Sequence, residues 1–113
     1  MPMLRVESLP EGPLDAAAAF HASLLPQALA ALGRGEDLTL VFPPAGHAHR
    51  AWRLAAVQAL AREHAPLRVN ALESDDATAI RAADAWLAGA PGMTGQLLPL
   101  DGNGAGPVLY QSP

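Results

Sequence analysis

The chain has 113 residues, half of them apolar and 16% charged, with a net charge of −4. That composition fits one packed domain and excludes a disordered chain or one with the basic stripe of a nucleic-acid binder. Cysteine is absent, which removes disulfides, thiolate metal sites and thiol nucleophiles.

Lysine is absent too, and all seven cations are scattered arginines. Aromatics are few and alanine is frequent, so the core must be built from Leu, Val and Ala with closely approaching helices. The N-terminus lacks a basic region followed by an apolar run, so no signal peptide is expected. No uninterrupted apolar run approaches the ~18 residues of a membrane span. A soluble, cytoplasmic protein is the default expectation, with neither nucleic acid nor membrane as partner.

Leu4 to Leu9 reads as a short strand, with Leu4 and Val6 alternating against Arg5 and Glu7. Pro10, Gly12 and Pro13 make a turn. A helix follows from Leu14 to about Leu32, carrying Phe20, Leu24, Leu25, Leu29 and Leu32 near helical spacing. Asp15 suits its first turn and "GRG" ends it. Pro26 lies inside the pattern and should kink or destabilise the helix there.

"LTLVF", Leu38 to Phe42, is continuously apolar and reads as a strand buried on both faces. After "PPAG" a second helix runs from about His49 to His64. Trp52, Ala56, Ala59, Leu60 and Glu63 share one side of it, and Leu54, Val57 and Ala61 another, so it should touch two surfaces. Leu67 to Leu72 is the third strand. Ser74 or Asp75 can cap a third helix, which ends near Leu87 with Ile80, Ala83 and Leu87 inward. Gln96 to Leu100 is the last strand, and Pro99 assigns it to an edge or a bulge. Residues 101–113 read as a loop tail.

Strands alternating with helices imply an α/β domain on a parallel sheet. Right-handed crossovers that always advance give strand order 1-2-3-4 with every helix on one face. The other face would then be bare, unless the last helix breaks the handedness rule or another chain covers it.

Three constellations invite chemistry. His47 and His49 could offer two imidazoles to a metal, but no carboxylate adjoins them and solvent-facing histidines at a helix start are the plainer reading. "DGNGAG", residues 101–106, looks like a phosphate loop, yet Pro107 follows where a helix is required. Glu73, Asp75 and Asp76 could hold a hard cation, although capping a helix accounts for them more simply. No metal and no cofactor is expected.

Four strings, in order, carry a family resemblance: "LLPQALAAL", "GRGEDLTLVF", "AAVQALAREHAPLRVNAL" and "MTGQLLPLDG". Together they span about residues 24–102, and the chain resembles the C-terminal part of the short-chain dehydrogenases/reductases. The third string resembles the family's active-site helix and the strand ending in R-V-N-A. The fourth resembles its last strand. The resemblance implies a single truncated Rossmann-like domain, two- or three-layered, with about four strands and three main helices. It places the family's nucleotide-binding half outside the match, so no dinucleotide site is expected.

The same register places the family's catalytic lysine at about Arg50 and its tyrosine at Gly46 or His47. The serine position carries Pro43 and Pro44, and the asparagine position falls near Pro13 or Leu14. Tyr110, the only tyrosine, stands in the tail. None of the four catalytic identities is present, which implies a dehydrogenase pseudoenzyme. After R-V-N-A the family's Pro-Gly gives way to Glu73 and Ser74. A remnant site would hold His47, His49, Arg50 and Asn70, with Asn70 kept as a hydrogen-bonding residue at the strand end. In the family the first two matching helices pair with a second subunit, and the helix before the last strand takes the opposite sheet face. By that resemblance, Leu25, Leu29, Trp52, Ala56, Ala59 and Leu60 form an interface in a homodimer or homotetramer, or with a full-length relative. The expected role is an oligomerising or protein-interaction module. The alternatives are a small-molecule-binding protein and an enzyme diverged around His47, His49 and Arg50.

Overall fold

Parallel strands cannot be joined by tight turns; each pair needs a crossover of a dozen or more residues, and the alanine-rich helices supply them. A computed structural model describes residues 2–100, so the tail expected to be a loop lies outside the described residues. The elements are β1 (Met3–Arg5), α1 (Pro13–Ala19), a π-helical turn (Phe20–Leu24), α2 (Leu25–Gly33), β2 (Leu38–Phe42), a 3-10 turn (His47–His49), α3 (Arg50–Glu63), β3 (Val69–Glu73), α4 (Ala77–Ala88) and β4 (Leu97–Pro99). The four strands are parallel in the order β1-β2-β3-β4. This is the α/β, Rossmann-like sheet that the sequence predicts, with α1 and α2 as two halves of one helix.

The central ladder pairs Leu38 with Val69 through to Phe42 with Glu73, and every residue of β2 is buried. Both outer strands are shorter than their sequence patterns. β1 ends at Arg5 rather than Leu9; one further bond joins the Val6 N–H to the Val41 carbonyl at 2.8 Å. Ser8 then takes a positive φ of 59° and turns the chain off the sheet. β4 pairs only with β3, which leaves Pro99 on an edge where its missing N–H costs nothing.

Pro26 does not break the helix, which continues from Pro13 to Gly33. It follows a π turn in which the Leu25 N–H reaches back five residues to the Phe20 carbonyl. The wider turn takes up the register that the proline's lost N–H and bulky ring would otherwise disrupt. The whole helix runs Pro13–Gly33, 21 residues, long and apolar enough by length and composition to cross a membrane. Counting only unbroken apolar runs missed this, because His21, Ser23, Pro26 and Gln27 interrupt the pattern. In the fold its Ala16, Phe20, Ala28, Ala31 and Leu32 are buried.

The two faces of the sheet build two cores. On one, Leu38, Leu40, Phe42, Val69, Ala71 and Leu97 meet Phe20, Ala28, Leu32, Val57 and Leu60 from the first two crossovers. On the other, Val41 and Leu72 meet Ile80, Ala83 and Leu87 of α4. The strands still advance in one direction, so the β3–α4–β4 crossover has the opposite hand to the two before it. The handedness rule yields here, and α4 covers the face that the rule would leave bare.

Arg68, just before β3, binds the segments that this arrangement brings together. Its backbone N–H donates to Asp37 Oδ1 at 2.8 Å and its Nε to Oδ2 at 3.2 Å. Its Nη1 donates to the carbonyls of Leu87 and Ala90, both at 2.9 Å, at the C-terminal end of α4 where a cation is favoured.

The cap of α4 is Asp76, not Ser74 or Asp75. Asp76 Oδ1 accepts from the N–H groups of Thr78 at 2.9 Å and Ala79 at 3.3 Å, while Ser74 Oγ accepts from the Asp76 N–H at 3.0 Å. Ser74 shapes the turn that carries the cap. Asp76→Ala should therefore cost about 1 kcal/mol in urea denaturation, and Asp75→Ala should stay within about 0.5 kcal/mol of the parent.

A candidate cleft at the carboxyl ends of the strands

In a parallel sheet the loops after the strands gather at one end, where ligands bind in most α/β folds. Here the β1–α1 and β2–α3 connections enclose a cavity of ≈ 510 Å³. The first connection contributes Leu9, Pro10, Glu11 and Pro13. The second contributes Pro43, Pro44, Ala45, Gly46, Ala48 and His49, and Arg53 of α3 completes the lining. The prolines stiffen both connections by fixing φ, so the walls are set by the backbone.

Arg53 is the largest fully buried side chain, with 2% of its surface exposed. Its Nη1 donates one hydrogen to the Pro43 carbonyl and the other to Glu73 Oε2, each at 2.9 Å. Its Cζ lies 4.5 Å from the centroid of the Phe42 ring, placing a cation against an aromatic ring. Phe42 in turn belongs to an aromatic cluster with Phe20 and Trp52, with centroids 5.6 to 5.7 Å apart. One guanidinium thus joins the end of β2, the end of β3 and the start of α3. Its Nε is sealed from solvent without a hydrogen-bond partner among the described residues.

His49 is fully engaged. Trp52 Nε1 can only donate, and it lies 3.2 Å from His49 Nδ1. The imidazole proton therefore sits on Nε2, which donates to the Glu11 carbonyl at 2.8 Å. Nε2 ties the β1–α1 connection to the start of α3, and the one ring lone pair, on Nδ1, is taken by Trp52 rather than left as a free base.

The other residues expected at this site are spread out. The side chains of His47 and Arg50 are exposed and make no hydrogen bond or ion pair among the described residues; only the Arg50 backbone N–H donates to the His47 carbonyl. Asn70 is buried as the second residue of β3, near the opposite end of the sheet. Its Nδ2 donates to the Met93 carbonyl at 2.9 Å and its Oδ1 accepts from the Gln96 N–H at 3.1 Å, so it fastens the chain entering β4. Of the positions offered for the family's serine, tyrosine and asparagine, Pro43, Pro44, Gly46 and Pro13 line the cleft, while the alternatives His47 and Leu14 do not. Prolines and a glycine put no proton-exchanging side chain there. No group of three or more metal-ligating residues occurs among the described residues.

Arg53 escaped the sequence reading, although it left a signal. It stands one and two turns before Val57 and Leu60, on the buried stripe of α3. An arginine on such a stripe needs a buried acceptor, and Glu73 after the "RVNAL" strand was the candidate.

A second cavity of ≈ 250 Å³ lies between α2 and α3, away from the cleft. Leu25, Leu29, Ala56, Ala59 and Leu60 line it, with His21 and Glu63 also in contact. Ala56 and Leu60 form its buried floor, and Leu29 is 42% exposed. Trp52, the sixth residue expected at an interface, does not line this cavity and packs in the aromatic cluster with Phe20 and Phe42.

The family model "Short chain dehydrogenase-like protein" matches residues 4–100. Neither the curated proteins nor the solved structures hold a significant match to the chain.

Removing one partner of a buried ion pair strands the other charge. Arg53→Met should therefore cost about 3 kcal/mol or more in chemical denaturation. Arg53→Met combined with Glu73→Gln should cost clearly less than the sum of the two single changes, by about 1 kcal/mol or more in a double-mutant cycle.

Proposed function

The chain belongs to the short-chain dehydrogenase-like family, and from that premise we propose that it works by association rather than by redox catalysis. The reading is a domain of dehydrogenase ancestry that binds no dinucleotide and serves as an oligomerising or protein-interaction module. The groove between α2 and α3 carries it. Five of the six residues expected at an interface line that groove. Its small Ala56 and Ala59 let a second helix pair approach closely, and Leu25 and Leu29 supply the apolar surface to be covered. A domain with a small core gains most from burying such a surface against another subunit.

The absence of a proton-relay set supports the non-catalytic part. Pro43 and Pro44, and Gly46 or His47, occupy positions where the family resemblance calls for hydroxyls. Glu73 and Ser74 stand where it calls for a Pro-Gly backbone approach to the nicotinamide. The competing reading, new chemistry at His47, His49 and Arg50, has less support, since His49 is fully hydrogen-bonded and the other two point to solvent.

Light scattering coupled to size-exclusion chromatography tests the proposal. The protein should elute at tens of micromolar with two or four times the chain mass. Leu29→Glu together with Ala59→Glu should return it to the mass of one chain, with an unchanged circular dichroism spectrum. A parent chain that runs as a monomer, and captures no full-length dehydrogenase of its own family when mixed with one, would overturn the reading.

A further inference from the structure

We propose that the cleft at the carboxyl ends of β1 and β2 binds a small organic acid, with Arg53 gripping its carboxylate. The inference rests on the cleft alone and is independent of the association reading. A guanidinium offers five N–H hydrogens in a planar fork. Nη1 spends both of its own on Pro43 and Glu73. Nε and Nη2 are left, and they form the edge that takes a carboxylate side-on with two parallel bonds. Nε is sealed without a partner, and Nη2 enters none of the hydrogen bonds among the described residues. A buried, unpaired N–H costs about 1–3 kcal/mol, so it calls for an explanation, and an absent ligand atom supplies one. Arg53 itself lines the cleft, so an acid entering it meets Nη2 first. A small shift of the surrounding side chains then brings its second oxygen to Nε.

The surroundings select the class of ligand. Leu9, Pro10, Pro13, Pro43 and Pro44 give the cleft apolar walls, suited to a hydrocarbon body rather than a bare inorganic anion. The charge already present also limits the ligand to one negative charge. Glu73 neutralises Arg53 at 2.9 Å, and the acidic residue Glu11 lines the cleft, so a dianion would meet net repulsion. The opening of α3 adds a modest attraction. Gly46 and Ala48 line the cleft at the helix start, where the positive end of the peptide dipoles lies and no side chain caps the turn. At ≈ 510 Å³ the space readily admits a molecule the size of benzoate.

Nitrogen–proton correlation spectra of the full chain, titrated with benzoate, provide the test. Benzoate should bind saturably and shift the amides of Ala45, Gly46, Ala48 and His49 together with the Arg53 Nε–H. Benzamide, the same shape without the charge, should bind at least about tenfold more weakly, as should inorganic phosphate. Arg53→Lys keeps the charge and loses the fork, and should lose benzoate binding by a similar factor. Should that variant fail to fold, Ala48→Trp decides, because Ala48 is exposed and a large side chain there blocks the cleft while Arg53 stays in place. Equal binding of benzamide or phosphate, no saturable binding of benzoate, or full binding by Ala48→Trp would overturn the assignment.

Discussion

One buried cation organises the business end of this domain. Arg53 enters the core on an otherwise apolar helix, and it is tolerated because three groups meet it: a carbonyl at the end of β2, a carboxylate at the end of β3, and the ring of Phe42. Desolvating a guanidinium costs several kcal/mol, so the site must hold its partners in place or lose more than it gains. The proline pair after β2 does this on one side, fixing the backbone that presents the Pro43 carbonyl. Glu73, the last residue of β3, does it on the other. His49 extends the same framework by tying Trp52 to the β1–α1 connection. The cleft is the hollow left between these fixed parts.

The rest of the sheet shows the same economy. Its two cores are unequal: the helices of the first two crossovers cover one face, and α4 alone covers the other. Placing α4 there requires a crossover of the less favoured hand. The Arg68 node, with Asp37 and the carbonyls ending α4, fastens the helix where it must lie for that route. Asn70 does the corresponding work at the entrance to β4. Both polar residues lie within the "LRVNAL" stretch, which is thereby a structural fastening as much as a strand.

Much of this was legible in the sequence, for reasons that can be named. The unbroken "LTLVF" run could only be a strand buried on both faces, and the alternation with alanine-rich helices fixed a parallel order. The resemblance of four strings to one family agrees with the family match over residues 4–100, and it offered the opposite sheet face for α4 without deciding between the faces. What was not legible depended on distance in space. Nothing near Ser8 announces that β1 stops at Arg5. Asp75 and Asp76 are equivalent in composition, and only the backbone geometry after Ser74 selects the second as cap. Arg53 and Glu73 lie twenty residues apart, and their pairing needs the crossover to be known first. His47, His49 and Arg50 looked like a group because they are close in sequence, whereas the helix start turns two of them outward.

The domain emerges as a dehydrogenase-family scaffold in which an ion pair and a set of prolines occupy the end of the sheet where the family resemblance calls for a proton relay. The most direct test is the state of the Arg53 side chain in solution, read from nitrogen–proton spectra of its guanidinium. Its Nη groups should give separately resolved signals, with rotation about the Cζ–Nη1 bond restricted and slow proton exchange with water at Nη1 and Nε. A single averaged signal exchanging as fast as those of the exposed Arg50 and Arg62 would contradict the account.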